Sequence, residues 1–370
     1  MKEATNHGRT PPYASPGRTP HYFTLLRLAH DLPPGSDTQD ALAELPRWES
    51  TLWPLLPRLH ANLRAAGLEP QLPGETRTLL QQGATRAIAA NLVNEQWLKR
   101  ILEQFGQAQI GVILLKSSAF SHSLYPAEAP RVGRDLDLLV REEQFERACR
   151  LMEGIMHPVV LHPDRPVTHA TLFERVFRPA DGTGPTVEIH RGLTNPGIFH
   201  IGEEALWETS LPHPRYGSRL VRMLSPEHSL LHLAVHAFRD LDFCTHNLVD
   251  AHRILTRWRP DGRKLADTAG RWGARTVLHC LLDNCRTVMG SELPETLHRS
   301  LRPAPLRRRA MRAILRSPHN HLPPDGRKSR RYRLLQLLAQ WTFPDSPHQG
   351  MAYQLSYAGM RAGDTLKKPR

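Results

Sequence analysis

The sequence predicts an α+β protein in which a short mixed sheet is flanked on both sides by helical segments. Leu, Ile and Trp recur at three- and four-residue steps from His21 to Gln109, and this helical period returns after Ser225. Between these regions the pattern changes at Ile110 to short, partly β-branched apolar runs bounded by turn residues. Such runs are typical of strands that are covered on both faces.

The first two segments of the chain differ in what they can bury. Residues 1–20 are rich in Pro, Thr, Gly and Arg and contain few apolar side chains, so they predict a disordered arm. Residues 21–109 predict an N-terminal helical segment that prolines divide into separate helices.

The strand pattern occupies residues 110–220. The run IGVILLK predicts a first strand, DLDLLV at 135–140 predicts a second, and EEQFERACRLMEGIM then predicts an amphipathic helix. Two further strand-like segments flank the turn Asp181-Gly182-Thr183-Gly184, which indicates a β-hairpin. The sheet should therefore combine parallel and antiparallel strands.

Helical periodicity dominates the rest of the chain. Residues 221–300 predict a C-terminal helical domain that opens with Ser225-Pro226-Glu227, the residue types of an N-cap, a first-turn proline and an acidic first turn. Residues 301–370 predict a basic, partly ordered tail in which RRYRLLQLLAQW is the one clear helix.

Charge and cysteine usage limit the class of protein. The formal net charge is +13, and the fifteen Lys/Arg and three acidic residues after position 300 account for nearly all of it. An almost neutral body argues against a nucleic-acid-binding core, whereas the basic tail could hold RNA, anionic lipid or an acidic partner. The four cysteines lack CxxC spacing, and no run of about 18 apolar residues occurs. We therefore expect free thiols and a soluble, cytoplasmic protein without a membrane span.

Two carboxylates begin the second predicted strand. Side chains alternate along a strand, so Asp135 and Asp137 point to the same face. Two like charges held side by side are unfavourable without a cation between them, and hard oxygen ligands suit Mg²⁺ or Mn²⁺. Glu188, in the strand TVEIH, would complete a three-carboxylate metal site if its strand lies beside the first; a solvated strand end is the alternative.

A phosphate-binding loop is predicted just upstream. Lys116, Ser117 and Ser118 follow the first strand and precede a helix, which would place backbone amides and hydroxyls at a helix N-terminus. Arg131 and Arg134 add positive charge near the same place. A phosphate loop beside a carboxylate metal site is the arrangement that nucleotidyl transfer requires. N-capping serines and a surface lysine are the alternative.

The segments LLKSSAFSHSLYP, RVGRDLDLLV, TVEIH and LSPEHSLLHLAVHAF together resemble an uncharacterised bacterial nucleotidyltransferase-like family. That family is similar to the DNA polymerase beta nucleotidyltransferase superfamily, so the resemblance implies a polymerase-beta-like nucleotidyltransferase core. By the same resemblance, Asp135 and Asp137 match the metal-binding aspartates and Glu188 matches the third carboxylate. Lys116 and Ser118 match phosphate-loop positions. Ser117 stands where the family usually has glycine, and a residue with a Cβ is disfavoured if that turn requires positive φ.

The resemblance implies metal-dependent transfer of a nucleoside monophosphate from an NTP to an acceptor hydroxyl or phosphate. The NTP contacts would be Lys116, Ser117, Ser118 and Arg134, and the acceptor a small molecule, a peptide or a polymer. A role in natural-product or polysaccharide tailoring follows from the family alone. Two alternatives stay open: a catalytically impaired binding or scaffold protein, and an RNA-directed transferase that uses the basic tail.

Histidines on one helix suggest a further alternative. His228, His232 and His236 fall on one face at steps of four, a spacing that can bind zinc. The HEXXH motif is absent because Leu233 stands where glutamate is needed, so a helix face packed on the sheet is the preferred interpretation. His236, Asp240 and Asp250 remain candidates for lining the cleft between sheet and helices. His190 lies two residues after Glu188, so it points to the same face of its strand and could contact the carboxylate site.

Overall fold

A computed structural model describes residues 11–30, 33–160, 172–194, 197–320 and 329–366. It combines a seven-stranded mixed sheet with helices before and after it, as the sequence predicts. Residues 1–10 of the predicted arm and the extreme C-terminus, 367–370, lie outside the described residues.

Five helices precede the sheet, and the prolines in this region fall at or near the helix starts. They are α1 (Pro20–Ala29), α2 (Thr38–Ala43), α3 (Leu45–Leu52), α4 (Leu56–Ala65) and α5 (Gly74–Gln107), with 3₁₀ turns at Trp53–Leu55 and Glu69–Gln71. The long helix α5 runs up to the first strand and buries Leu98, Ile101 and Phe105 in the core. Its Asn94 donates a hydrogen bond to the Gly133 carbonyl at 2.9 Å, which ties the helical segment to the loop before the second strand.

The sheet and its helices occupy the middle of the chain. In chain order these elements are β1 (Val112–Leu114), α6 (Lys116–Phe120), β2 (Asp135–Leu139), α7 (Glu142–Glu153), β3 (His157–Val159), β4 (Glu174–Arg178), β5 (Thr186–His190), α8 (Glu203–Thr209), β6 (Leu211–Pro212) and β7 (Val221–Met223). Helix α6 has five residues and is much shorter than the sequence between the first two strands would allow.

Strand order in the sheet is β3-β4-β5-β2-β1-β7-β6. The hairpin pair β4–β5 is antiparallel, while β2 and β5 run parallel as direct neighbours. Strand β1 lies antiparallel to β2 and parallel to β7. The predicted hairpin and the mixture of strand directions are therefore confirmed, and β2 lies at the centre of the sheet.

Helices follow the sheet up to residue 366. They are α9 (Pro226–Asp240), α10 (Asn247–Arg253), α11 (Gly262–Trp272), α12 (Arg275–Met289), α13 (Glu295–Leu301), α14 (Pro305–Leu315), α15 (Arg330–Thr342) and α16 (Pro347–Leu366), with a π-helical turn at Ile254–Trp258. The predicted cap of α9 is present, because the Ser225 hydroxyl accepts a hydrogen bond from the His228 amide at 3.3 Å. None of the helices in these described ranges has the length and apolar composition needed to cross a bilayer. All four cysteines are buried free thiols.

One apolar core joins the three parts of the chain. A continuous cluster of buried side chains extends from Tyr13 through the sheet to Phe343. The N-terminal helices and the C-terminal helices therefore pack on a common interior rather than on separate cores.

Residues 11–20 differ from the predicted disordered arm. Tyr13 is fully buried, its amide and carbonyl both bond to Asn284 of α12, and Arg18 forms an ion pair with Asp242 at 2.7 Å. Arg18 also lies over the Tyr22 ring at 4.5 Å. The prediction from low apolar content is wrong for these residues, because a few contacts to distant helices order this stretch.

The basic tail contains more ordered structure than the single helix that the sequence predicts. Met311 of α14, Tyr332 of α15 and Phe343, just after α15, are all buried. The Phe343 ring stacks on Phe243 with centroids 5.8 Å apart. Asp345 accepts hydrogen bonds from the Arg275 and Thr276 amides and thereby caps α12. The tail thus contributes to the packing of the helices that precede it.

A buried ion pair holds the loop before β2 against α10. Arg131 donates two hydrogen bonds to Asp250, at 3.3 and 3.1 Å, and both side chains are almost inaccessible to solvent. The Tyr125 hydroxyl donates a third at 2.6 Å. Asp250, a candidate for the cleft lining, therefore anchors the loop that leads to Asp135.

We expect Asp250→Asn to lower the free energy of unfolding by about 3 kcal/mol, because it leaves the Arg131 charge buried without a counter-ion. Urea denaturation of the variant, with the exposed Asp267→Asn as a matched control, measures the change. A loss no larger than that of the control would show that the pair does not anchor the loop.

Candidate active site

Two of the predicted carboxylates face each other across neighbouring strands. In the parallel β2–β5 pair, Asp137 is the register partner of Glu188, so both side chains project from the same face about 4.8 Å apart along the sheet. Asp135 lies on that face two residues earlier. The sequence-based expectation that Glu188 lies on the strand beside the aspartates is right.

Asp137 is a fully buried carboxylate whose two oxygens have different surroundings. Its Oδ1 accepts hydrogen bonds from Lys116 Nζ at 2.9 Å and from His190 Nε2 at 3.2 Å. Burial raises the pKa of Asp137, but the Lys116 ammonium and the His190 imidazolium outweigh it and hold that pKa well below the usual value. Its Oδ2 is also buried, and no hydrogen-bond donor among the described residues reaches it.

At Asp135 the nearby positive charges do not outweigh the effect of burial on the pKa. Burial and the neighbouring carboxylates of Asp137 and Glu188 raise the pKa of Asp135 to about 6, although Lys116 opposes the rise. We call the side of the sheet that carries Asp135, Asp137, Glu188 and His190 the acidic face.

His190 lies at the centre of the acidic face. Its Nε2 lies 3.4 Å from Glu188 Oε2, and its Nδ1 lies 3.6 Å from Glu174 Oε2. Burial lowers the pKa of His190, but hydrogen bonds to Asp137 and Glu188 raise it to about 9, so the ring is cationic at neutral pH. One ligand atom each of Asp137, Glu188 and His190 lie within 4.8 Å of one another, a spacing that could hold a metal ion if His190 released the proton from the nitrogen that binds it.

The backbone at Lys116 adopts a left-handed conformation, with φ at +46°. This turn brings the ammonium back to Asp137 directly after β1, and the Leu115 amide donates to the Asp137 carbonyl at 3.1 Å. Ser117 is not among the residues with positive φ, so the backbone strain that its Cβ could cause does not arise. The residue with positive φ is Lys116, one position before Ser117, where the sequence suggested strain.

Ser117 and Ser118 have a different neighbourhood from the carboxylates. Both line a small pocket with Asn94 and Leu136, and Leu136 projects from the face of β2 opposite to Asp137. A Cβ at Gly133 would overlap the Ser117 hydroxyl, so that glycine makes room for the serine. The Ser118 hydroxyl is buried, and no partner for it occurs in the part of the chain that the structure describes.

Arg134 lies at the exposed edge of this region. Its guanidinium donates to the Ser50 carbonyl at 2.7 Å and to the Ser50 hydroxyl at 3.3 Å. The structure thus connects Arg134 with α3, whereas Lys116 is the loop residue that contacts the acidic face.

Two members of the face were missed by sequence reasoning. Glu174 is the register partner of His190 across the hairpin, a position that the hairpin register could have revealed. Arg239 comes from the last turn of α9, where its guanidinium lies 4.0 Å from Glu174 and bonds to His236 at 2.9 Å. No sequence signal identifies Arg239, because only packing of α9 on the sheet brings it there.

The other histidines on α9 pack as a helix face. His232 is buried, and burial together with the nearby Lys116 charge lowers its pKa to about 3. His228 stacks on Trp272 with ring centroids 5.4 Å apart. His236 lies between Arg239 and Asp240, at 3.4 Å from the latter. Of the three, His232 lies near Lys116 and so beside the sheet, whereas His228 packs on α11 and His236 contacts residues of its own helix.

A second cluster, formed by His279, Asp283 and His298, also has spacing suited to a metal. Asp283 Oδ1 already accepts hydrogen bonds from Arg286 at 3.0 Å and from His298 at 3.2 Å. The nearby positive charges of Arg302 and Arg308 make this place unfavourable for a cation.

Comparison with known families agrees with this geometry. A family model described as uncharacterised nucleotidyltransferase matches residues 41–290, about two thirds of the chain, and this range includes both carboxylate strands. No curated protein and no solved structure gives a significant match. On the extent of the family match, the chain belongs to the uncharacterised nucleotidyltransferase family.

Proposed function

We propose that this nucleotidyltransferase moves a nucleoside monophosphate from an NTP to an acceptor hydroxyl or phosphate, with Mg²⁺ or Mn²⁺ bound at the acidic face. The observation that carries the proposal is the buried Asp137 Oδ2, to which none of the described residues donates a hydrogen bond, on a strand in register with Glu188. An orphaned carboxylate oxygen is costly to bury, and a cation would satisfy it.

The donor set fits a hard divalent cation. Asp135, Asp137 and Glu188 offer carboxylate oxygens on one face, which is the ligand chemistry of Mg²⁺ and Mn²⁺. The raised pKa of Asp135 reports carboxylate charge that a bound cation would compensate. What the cation supplies when bound is charge neutralisation on the transferred phosphoryl group and on the leaving pyrophosphate.

The residues of the chain itself provide the rest of the chemistry. Lys116 can turn its ammonium from Asp137 to a phosphate oxygen, because the cationic His190 still pairs with Asp137. Arg239, with its side chain 38% exposed, can contact the same triphosphate from the helical side. Glu188, with its side chain 20% exposed, is placed to accept the proton of an acceptor hydroxyl. Phosphate contacts by Ser117, Ser118 and Arg134 remain predictions of the family resemblance.

One observation favours a second candidate, a binding or scaffold protein that has lost catalysis. Lys116 and His190 already neutralise Asp137, and these internal cations could take the place of a metal. The two candidates differ in whether the acidic face binds a divalent cation and a nucleotide.

We expect the wild-type protein to bind one NTP only in the presence of Mg²⁺, and Asp137→Asn and Glu188→Gln each to weaken that binding at least about tenfold, or ~1.4 kcal/mol. Calorimetric titration of each NTP, with and without Mg²⁺, measures it. Glu208→Gln, an exposed carboxylate away from the face, is the matched control. No binding of any NTP by the wild type would instead support the scaffold.

Removing one carboxylate should stabilise the metal-free protein. The raised pKa of Asp135 means that the folded state binds a proton more readily than the unfolded chain, so this group lowers stability as pH rises from about 4 through 6. We expect Asp135→Asn to gain about 1–2 kcal/mol at pH 7.5 and much less at pH 5, since one pKa unit corresponds to about 1.4 kcal/mol.

Urea denaturation in the presence of a chelator, repeated with Mn²⁺, tests this expectation. With Mn²⁺ the wild type should gain stability and Asp135→Asn should gain little, because ligand binding stabilises only a protein that holds the ligand. An equal gain by both proteins would remove Asp135 from the proposed metal site.

The Ser117 departure from the family pattern should not weaken nucleotide binding. The left-handed residue is Lys116, so Ser117→Gly relieves no strain, and we expect its NTP affinity to stay within about twofold of the wild type. The same calorimetric titration measures it. A rise of about tenfold in affinity would favour the impaired-enzyme candidate.

A further inference from the structure

Exposed apolar side chains are concentrated in the tail, which lies beyond the family match. Eight of the thirteen large apolar side chains that are exposed among the described residues fall between positions 306 and 357. They are Leu306, Leu334, Leu337, Leu338, Trp341, Met351, Leu355 and Tyr357. Scattered exposed apolar residues are ordinary, but a concentration of them indicates an interaction surface.

Helix α15 presents its apolar residues as one stripe. Leu334, Leu337, Leu338 and Trp341 occur at steps of three and four, and each is between 44% and 57% exposed. The opposite side of the helix carries Tyr332 and Ala339, which are buried. The helix is therefore apolar on both sides, and the inner side alone is covered in the structure.

Helix α16 extends the surface. It packs against α15, where Gln354 donates to Gln340 at 3.2 Å and where a Cβ at Gly350 would overlap the Gln340 carbonyl oxygen. From Gly350 to Met360 it contains no charged residue, and Leu355 is 70% exposed. We call the exposed sides of α15 and α16, from Arg330 to Met360, the tail face.

Cations border the apolar stripe. Arg330 and Arg331 precede Leu334 by four and three residues, which places them on the same side of α15, and both are exposed. Between Arg330 and Met360 the chain has three arginines and one acidic residue, Asp345. A partner of the tail face should therefore offer both an apolar region that can bury these side chains and negative charge.

We propose that the tail face docks the protein peripherally on an anionic lipid surface. Protruding Leu and Trp side chains beside arginines are the composition of helices that lie in a membrane interface. Each Lys or Arg near an anionic leaflet adds electrostatic attraction to that leaflet. A second copy of this chain fits poorly, because two tail faces would bring like charges together.

Co-sedimentation of the full-length protein with vesicles tests the proposal. One set contains phosphatidylcholine with about 30 mol% phosphatidylserine, and the other phosphatidylcholine alone. We expect binding to the anionic vesicles, weakened by salt at about 0.5 M, where screening shortens the range of charge attraction. No binding to either vesicle, or equal binding to both, would overturn the proposal.

Paired variants locate the surface. Leu334→Glu combined with Leu338→Glu should reduce binding at least about tenfold, because both side chains would lose apolar burial in the interface. Leu92→Glu is the matched control, since Leu92 on α5 has the same 57% exposure as Leu334. The thermal midpoint of each variant verifies folding. Equal losses in the double variant and the control would refute the assignment to the tail face.

Two other partners would give distinct results. A dimer in light scattering that Leu334→Glu/Leu338→Glu dissociates would assign the tail face to a second copy. Binding to polyglutamate without binding to anionic vesicles would assign it to an acidic protein. Either result overturns the lipid proposal.

Discussion

The burial of the Asp137 carboxylate is the constraint on which the site depends. A buried charge needs partners, and two separate elements supply them: Lys116 at the start of α6 and His190 at the end of β5. The left-handed Lys116 is part of the same solution, because it turns the ammonium back to Oδ1. None of the described residues donates a hydrogen bond to the other oxygen, and the cation site that we propose rests on this observation.

Packing outside the sheet keeps this face in place. The Arg131–Asp250 pair fixes the loop before β2 on α10, and α9 brings Arg239 to within 4.0 Å of Glu174. Since one core joins the N-terminal helices, the sheet and the C-terminal helices, the acidic face is built from elements that support one another. The tail face, by contrast, projects from the last helices and lies outside the range that the family model matches.

Local patterns predicted the hairpin and the strand of Asp135 and Asp137, because alternation and turn residues act over a few positions. That the strand of Glu188 lies beside them was left open by the sequence and is shown by the sheet register. Ser117 shows the limit of prediction from local patterns. A residue with a Cβ at this position suggested backbone strain, but the backbone angles depend on how the chain leaves β1, and the positive φ is at Lys116. Residues 11–20 show the same limit, since Tyr13 and Arg18 are ordered by Asn284 and Asp242, more than 220 positions away in the sequence.

The sequence by itself determined the class of fold, four of the seven described strands, the two aspartates on one face and the family resemblance, because each of these depends on neighbours within a short stretch of chain. Only the tertiary structure decided which cations meet those carboxylates, that His190 and Glu174 join them, and that Arg239 reaches them from another part of the chain. Charge pairing at a buried site is set by distances through space, and those distances exist only once the sheet and the helices have packed.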